Sequence, residues 1–444
     1  MNFVFESVAT SENFVHCEDL NRSGIRRFTG CPSVHSLIRY KQTKRQFNNI
    51  DLSTVNHYPF HHLAWGKIDT YIIASGVSHH PNDWCGPDDQ GNGVDRECPD
   101  KKNLFAHLNT RYLDDLRKGN AFLLLDQSHE GYHEHWLWPW FHNSCRMFGI
   151  NPQQVIYVTG NMDAQEQYTA WADQQGITDR LCVIAHPEFE AYSYEVHLRR
   201  DNLPRWQDHY DHKAANLSKI KTYNALQKRP RAHRMWLFSA LEKAGLIEQG
   251  INSMNVLSHD HTYYDRRIMD REDYARAIAL LPMLPPNVDS NNQELEIFAD
   301  GDSGKYQMEY NAQINLDTWI AVLSEASFAE ETCFLSEKIF KPIACCQPFI
   351  IFGNRGSLAH LRNLGYRTFH PYIDETYDTL PAWQRLDAII NAIKQIRDMP
   401  EDRKLGWYKN FEDIIEHNYA VMEYNANQKV PDSILRIQEY TRTQ

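Results

Sequence analysis

The sequence predicts an α/β protein with two domains that each carry a parallel sheet and face a common cleft, followed by a helical C-terminal tail. Short apolar runs bounded by turn residues alternate with stretches of helix length, and this alternation is typical of βαβ units. The chain has 444 residues, which is more than one ordinary hydrophobic core accommodates. We therefore expect two domains of similar architecture.

The N-terminal half is predicted to form the first domain, residues 1–212, on the acceptor side. Residues 1–60 are mixed and polar, and we expect them to form an irregular lobe. The stretch 79–103 is rich in Pro, Gly, Asp and Asn and is predicted to be a long loop. The remaining pattern predicts strands at 68–76, 120–127, 154–161 and 180–189, with helices near 135–148 and 164–176.

A polar, charged segment interrupts the pattern before residue 213, so we place the boundary between the domains there. The second domain is predicted to span residues 213–380, and residues 381–444 are predicted to form the helical segment. Within the second domain the pattern predicts a strand, loop, short helix and strand between Thr318 and Gly353. It also predicts strands at 218–227 and 251–259, with helices at 232–246, 272–281 and 356–365.

Composition and charge limit the classes of function. The formal net charge is −12, which argues against non-specific coating of nucleic acid. A local basic stretch between Lys213 and Arg234, with further basic residues near Arg39–Arg45, keeps binding to DNA open. The nine cysteines are an odd number and are scattered, which favours reduced thiols. No apolar run approaches the length of a membrane span and no secretory signal is evident, so we expect a cytoplasmic protein.

A basic loop follows the predicted strand 218–227. It reads KRPRAHR and places Arg229, Arg231 and Arg234 directly before a helix. Arginine binds phosphate oxygens with two parallel hydrogen bonds and stays charged, so this loop suits a diphosphate. The alternative is that these side chains are solvated residues of a polar turn.

A second polar segment follows the next long strand and carries Glu325, Ser336, Glu337 and Lys338. Ser336 is a predicted N-cap, and Glu337 favours the first turn of the helix that follows. Lys338 is then in position to reach an anion bound at the helix N-terminus. The alternative is a solvated acidic loop followed by an ordinary capped helix.

Taken together, these segments resemble a known family. The stretch VLSEASFAEETCFLSEKIFKPIACCQPFIIFG resembles the donor motif of fucosyltransferases, and more broadly the second domain of two-Rossmann-domain (GT-B) glycosyltransferases. The upstream stretch ALQKRPRAHRMWLFSALEKAGL resembles the strand–Arg–helix–Gly unit that such enzymes place before this motif. The resemblance covers about residues 216–365 and implies a GT-B-like fold of two Rossmann-like domains.

The resemblance implies a role for each residue of the two segments. Lys338 and one of Arg229 or Arg231 would meet the diphosphate of a nucleoside diphosphate sugar. Glu337 and Glu325 would hold hydroxyls of the ribose or the sugar. Enzymes of this type generally use helix dipoles and basic side chains in place of a metal, so no metal and no further cofactor is expected.

The catalytic base is expected in the N-terminal half, after the strand 120–127. Glu130 is the first candidate, with His129 and Asp126 behind it, because the transfer needs a carboxylate or imidazole to deprotonate the acceptor hydroxyl. Gly131 permits a tight turn that would direct these side chains into the cleft. The alternative is a polar turn without a catalytic role.

The sequence thus predicts a glycosyltransferase of hexosyl, pentosyl or fucosyl type. The acceptor is a glycan or small molecule, with a hydroxymethylated base of phage DNA as the second choice. A non-catalytic nucleotide- or glycan-binding protein of the same fold remains the rival hypothesis. No dependable metal-ligand spacing is present, although a metal in the 79–103 loop stays open, and the absence of GxSxG excludes an α/β hydrolase.

Overall fold

A computed structural model gives the fold and divides the chain into two compact units. Unit 1 comprises Met1–Glu188 together with Gln428–Gln444, and unit 2 comprises Phe189–Asn427. The structure describes residues 2–7, 56–59, 71–76, 105, 110–128, 131, 137–187, 189–190, 193, 203–227, 230–254, 264–284, 312–328, 332–427 and 432–444. The predicted 79–103 loop lies outside these residues.

Unit 1 is built on a parallel sheet of six strands in the order β2-β1-β3-β4-β5-β6. The strands are β1 Asn2–Ser7, β2 Asn56–Pro59, β3 Tyr71–Gly76, β4 Ala121–Gln127, β5 Val155–Thr159 and β6 Cys182–Ala185. The prediction of an irregular lobe over residues 1–60 is wrong for β1 and β2. These strands are short, reading NFVFES and NHYP, and they are defined by backbone pairing with β3 and with each other.

In the described part of unit 1, three helices follow strands, namely α1 Thr110–Arg117, α2 Leu137–Phe148 and α3 Ala164–Gln174. Their apolar faces pack on β4 and β5 in a core of aliphatic and aromatic side chains. Trp138, which is 1% exposed, packs edge-on against Tyr157 at 5.9 Å between ring centroids. Phe141 contacts the same tyrosine at 5.1 Å. The aromatic side chains of Trp138 and Phe141, near the start of α2, are thus part of the core.

The C-terminal helix, Asp432–Thr443, packs within unit 1 although it is the last element of the chain. The ring of Tyr440 lies 6.1 Å from that of Phe122, and its hydroxyl donates to the carbonyl of Gln153 at 2.9 Å. Arg436 donates to the carbonyl of Val183 at 3.4 Å. Its contacts therefore place this helix in unit 1, apart from the helices that precede it, although the sequence predicts one helical segment over residues 381–444.

Unit 2 carries a parallel sheet of four strands in the order β10-β9-β7-β8. The strands are β7 Lys221–Gln227, β8 Gly250–Met254, β9 Thr318–Ser324 and β10 Phe349–Phe352. The helices are α4 Trp206–Ala215, α5 Ala232–Lys243, α6 Arg271–Leu280, α7 Ala312–Leu316, α8 Glu337–Ala344, α9 Ser357–Asn363, α10 Ala382–Asp398, α11 Glu401–Lys409 and α12 Glu412–Asn427, and the C-terminal helix of unit 1 is α13. The predicted α/β class with parallel sheets and a helical C-terminal region is confirmed.

The strand order creates a topological switch point in each sheet. In unit 2 the chain leaves β7 toward β8 on one side and returns to β9 on the other. In unit 1 the same relation holds among β1, β2 and β3. Ligands of open α/β sheets bind at the carboxyl ends of the strands that flank such a point. The residues that directly follow β1 and β3 lie outside the described ranges, so the site is built below from unit 2.

The cysteines and the length of the helices bear on two predictions, that the thiols are reduced and that no segment spans a membrane. Five cysteines of the described residues form no disulfide, namely Cys145, Cys182, Cys333, Cys345 and Cys346. Burial raises the pKa of Cys346 to about 12, and this thiol is therefore protonated at neutral pH. Within the described ranges, no helix combines the length and apolar character needed to cross a bilayer.

A completely buried lysine connects α4 to the end of α7. The Nζ atom of Lys213 donates to the carbonyls of Asn315 and Leu316, each at 3.1 Å, and lies 3.4 Å from Nδ1 of His209. These carbonyls belong to the last turn of a helix, where they have no partner within the helix. Burial, partly offset by the charge of Asp317, lowers the pKa of Lys213 to about 7.

We expect the free energy of unfolding to rise between about pH 7 and pH 10.5 in the wild type relative to a Lys213→Met variant. The unfolded chain keeps the Lys213 proton up to the ordinary pKa of 10.5, whereas the folded protein releases it near pH 7. The unfolded state therefore binds more protons in this window, and the difference approaches about 1.4 kcal/mol per pH unit. Urea unfolding of both proteins across the window measures it, and identical pH dependences would contradict the assignment.

Candidate functional site

The candidate site lies at the switch point of unit 2, where β7 and β9 end side by side. The Nε2 atom of Gln227, the last residue of β7, donates to Oγ of Ser324, the last residue of β9, at 2.9 Å. The two polar segments singled out in the sequence follow these residues. Because the strands are parallel neighbours, the basic loop and the Glu325–Lys338 segment begin at the same edge of the sheet.

Glu325 is the first residue after β9 and has no exposed surface. Its carboxylate accepts the backbone N–H of Ser336 at 3.2 Å and the hydroxyl of the same serine. Gly353 directly follows β10, and a Cβ atom placed on it would lie 3.0 Å from the Glu325 side chain, so a larger residue would require that side chain to shift. Burial raises the pKa of Glu325, while the charge of Lys338 and the hydrogen bonds from Ser336 oppose the rise.

Ser336 is the N-cap of α8, as the sequence predicts. Its Oγ atom accepts the backbone N–H of Lys338 at 3.3 Å and lies 3.1 Å from the Lys338 ammonium, which also donates to it. Its own O–H donates to Glu325. A hydroxyl offers one donor and two acceptor positions, and here all three are used. The 1% exposure of Ser336 leaves no surface for a ligand.

Glu337 and Lys338 form an ion pair at the start of α8. The Lys338 ammonium lies 2.6 Å from Oε1 of Glu337, and the lysine side chain keeps 27% of its surface exposed. Burial alone would raise the pKa of Glu337, but the charge and hydrogen bond of Lys338, helped by Lys341, bring it down to about 2. The carboxylate is therefore ionised at neutral pH, and the partly exposed ammonium beside it is able to meet an anion.

The arginines of the basic loop differ in exposure. Arg231 is exposed, and one nitrogen of its guanidinium donates to the carbonyl of Ala326, two residues after β9. Arg234 is 3% exposed and donates to the carbonyl of Glu325 at 3.3 Å. A guanidinium has five N–H groups, so Arg231 keeps donors that face solvent.

His233 lies between the two arginines and was not singled out in the sequence. Its Nε2 atom is 3.0 Å from the carbonyl of Glu325, and its ring stacks on Phe328 at 6.0 Å and 13°. Burial first, and then the nearby arginine charges, lower the pKa of His233 to about 3. The imidazole is thus neutral at pH 7, and Nε2–H donates to the carbonyl. Its position within KRPRAHR is the signal that could have identified it.

A groove runs beside α8 along the sheet face and encloses about 500 Å³, including space open to solvent. Lys338 and Lys341 line it from the helix, and Ser324 lines it at the end of β9. The remaining lining residues are Asn224, Leu226, Asn315, Ala321, Val322, Leu323 and Pro342. The groove therefore adjoins the polar residues at the switch point.

The structure brings together six of the predicted site residues, which are Arg231, Arg234, Glu325, Ser336, Glu337 and Lys338. Burial gives Glu325 and Arg234 a supporting position in place of the predicted direct contact with a ligand, and Ser336, also buried, is the predicted N-cap. Arg229, His129 and Glu130 lie outside the described residues. Asp126 belongs to β4 of unit 1, where its backbone pairs beside Gly76 at the end of β3. The described residues contain no group of three or more His, Cys, Asp or Glu side chains arranged to hold a metal.

No protein-family model matches the chain, and no curated protein matches it. Solved structures resemble it remotely. A trehalose-6-phosphate synthase from Burkholderia multivorans is 9% identical over 93% of this chain and 74% of its own, with a TM-score of 0.40. A UDP-GlcNAc 2-epimerase from Neisseria meningitidis bound to UDP-GlcNAc is 12% identical over 100% and 99%, with a TM-score of 0.35. An α1,3-fucosyltransferase with GDP-fucose is 8% identical over 99% and 90%, with a TM-score of 0.33. At these values the likeness does not by itself assign a family or a substrate.

We expect a Ser336→Ala variant to lose about 1–3 kcal/mol of stability, because it removes the helix cap and one of the hydrogen bonds to the buried carboxylate of Glu325. Ser336→Thr keeps the hydroxyl and serves as the matched control. Urea unfolding at neutral pH measures both. A Ser336→Ala variant as stable as the wild type would show that the hydroxyl does not support Glu325.

Proposed function

We propose that the protein is a GT-B-type glycosyltransferase that moves a sugar from a nucleoside diphosphate sugar to an acceptor hydroxyl. One observation carries the proposal. The exposed Arg231, from the loop after β7, and the partly exposed Lys338, from the start of α8, are cations on the two sides of a topological switch point, supported by the buried Glu325. This is where an open α/β sheet binds a nucleotide, and two cations suit a diphosphate.

In the proposed donor site, residues that reach the surface contact the ligand, and buried residues hold them in position. The diphosphate lies against the solvent-facing N–H groups of Arg231 and the ammonium of Lys338, near the positive end of the α8 dipole. Glu337, ionised at neutral pH, accepts hydrogen bonds from ribose or sugar hydroxyls. As the bond to the sugar breaks, negative charge grows on the diphosphate, and cations already held in place stabilise it without reorganisation.

The proposed acceptor is a hydroxyl of a glycan or small molecule, with a hydroxymethylated DNA base as the second choice. Glu130 or His129 removes its proton, with Asp126 nearby in sequence, and the oxygen then attacks the anomeric carbon while the diphosphate leaves. The strand β4 that precedes these residues lies beside β3, next to the switch point of unit 1. The net charge of −12 favours the glycan or small molecule over DNA.

We expect UDP-, GDP- or dTDP-sugars to raise the melting temperature of the protein more than CMP-sugars do, because the latter carry a single phosphate. A ligand that binds only the native state at 100 times its Kd adds about 2.7 kcal/mol. Thermal unfolding with each sugar nucleotide measures the shift. An Arg231→Gln variant removes one of the two cations and should lose most of this shift in melting temperature. If no diphosphate sugar raises the melting temperature, the donor assignment is wrong.

We expect a Lys338→Ala variant to lose transfer by a factor of about 100 or more, since one preorganised donor to developing charge is typically worth that much. Lys338→Arg keeps the charge, and Lys219→Ala removes an exposed lysine from the other end of β7. Release of sugar from the donor, to acceptor or to water, measures activity. Wild-type turnover by Lys338→Ala would overturn the role of this lysine. Donor binding without any release would indicate the rival, a non-catalytic binder.

A further inference from the structure

Arg385 is a buried arginine in the first turn of α10 that no sequence motif singled out. It is 4% exposed. Its guanidinium donates to the carbonyls of Phe328 at 3.2 Å, of Gly353, and of Leu380 at 3.0 and 3.3 Å. The Cζ atom lies 5.0 Å from the centroid of the Phe328 ring. A side chain from a distant helix therefore joins three separate loops through their main-chain oxygens.

The loops that Arg385 joins lie on two sides of Glu325. Phe328 follows Glu325 by three residues, and Gly353 packs directly against the Glu325 side chain. The Phe328 ring is 4.2 Å from the Phe352 ring between centroids, which ties the same segment to the end of β10. Arg385 thus joins the loops that follow β9 and β10, just beyond the last backbone hydrogen bond between these strands, from Glu325 to Phe352.

The segment 325–328 is held by its carbonyl groups along its length. The carbonyl of Glu325 accepts from His233 and Arg234, that of Ala326 from Arg231, and that of Phe328 from Arg385. The donors at the first two positions come from α5 and the residue before it, whereas the last comes from α10. The carbonyl that orients exposed Arg231 is therefore two residues away from the one that Arg385 fixes.

We propose that Arg385 is a positioning residue for the anion site: by fixing the 325–328 segment, it places the Ala326 carbonyl that orients the guanidinium of Arg231. This inference rests on the proposed function. Arg385 acts through the loop and does not itself contact the ligand. Arginine suits the task because its planar fork reaches several carbonyls at once, whereas lysine offers a single point of attachment. Burial lowers the pKa of Arg385 to about 10, so the guanidinium stays charged at neutral pH.

The test is a double-mutant cycle of Arg385→Met and Arg231→Gln, with pyrophosphate as the probe and calorimetry as the measurement. We expect each single variant to weaken pyrophosphate binding about tenfold, and the double variant to be no weaker than Arg231→Gln alone, since both changes act on one contact. Lys213→Met is the matched control. It also removes a buried basic side chain that donates to two carbonyls, but near the amino end of β9, and the affinity of this variant should equal that of the wild type.

A second measurement reports directly on how firmly the segment 325–328 is held. Amide hydrogen exchange over residues 325–328 should be about tenfold faster in Arg385→Met than in the wild type, and unchanged in Lys213→Met. If Arg385→Met does not fold, Arg385→Lys takes its place in both measurements. Additive losses in the cycle, or unchanged exchange in the loop, would overturn the proposal.

Failure of the proposed function gives a different result. A wild type that binds pyrophosphate, shows coupling between Arg385 and Arg231, and neither binds nor cleaves any sugar nucleotide would refute the glycosyltransferase while supporting the positioning role. A wild type that binds no pyrophosphate would overturn both, because there would be no anion site for Arg385 to support.

Discussion

The buried carboxylate of Glu325 is the constraint on which the C-terminal unit depends. An ionisable group without exposed surface is costly unless hydrogen bonds and opposite charge compensate the loss of water. Here Ser336 supplies two donors and Lys338 supplies the charge. Because these partners lie at the start of α8, the compensation of one carboxylate joins the end of β9 to a helix N-terminus. The main-chain carbonyl of the same residue joins it to α5 through His233.

This arrangement separates residues that support the site from residues that are able to meet a ligand. The supporting residues are buried, and Arg234 and Ser336 both donate hydrogen bonds to Glu325. Beside them, Arg231 and Lys338 reach the surface. A rigid buried network fixes exposed cations in advance, which is the condition for electrostatic stabilisation of a leaving diphosphate. The same logic explains why a remote arginine on α10 matters for a site that it does not reach.

Several parts of this picture could be predicted from residues alone. The alternation of strands and helices predicted the α/β class, and the Ser-Glu-Lys stretch predicted the cap of α8. Other parts could not be predicted. The strands β1 and β2 are only six and four residues long and are defined by their pairing in the sheet. The C-terminal helix joins unit 1 through contacts such as Tyr440 with Phe122. Arg385 and Lys213 are each a single basic residue on a helix, and in the sequence such residues look like solvated ones.

By itself the sequence determined the strands of unit 2 and the helices that follow them, since helix periodicity, capping and turn chemistry depend on residues a few positions apart. It also determined that basic and acidic segments follow strands β7 and β9. The tertiary structure alone decided the strand order β10-β9-β7-β8, which makes the ends of those two strands neighbours. It likewise decided which charged groups are buried and which meet solvent. The reason is that parallel pairing and desolvation depend on contacts between residues some 90 or more positions apart, as between His233 and Glu325.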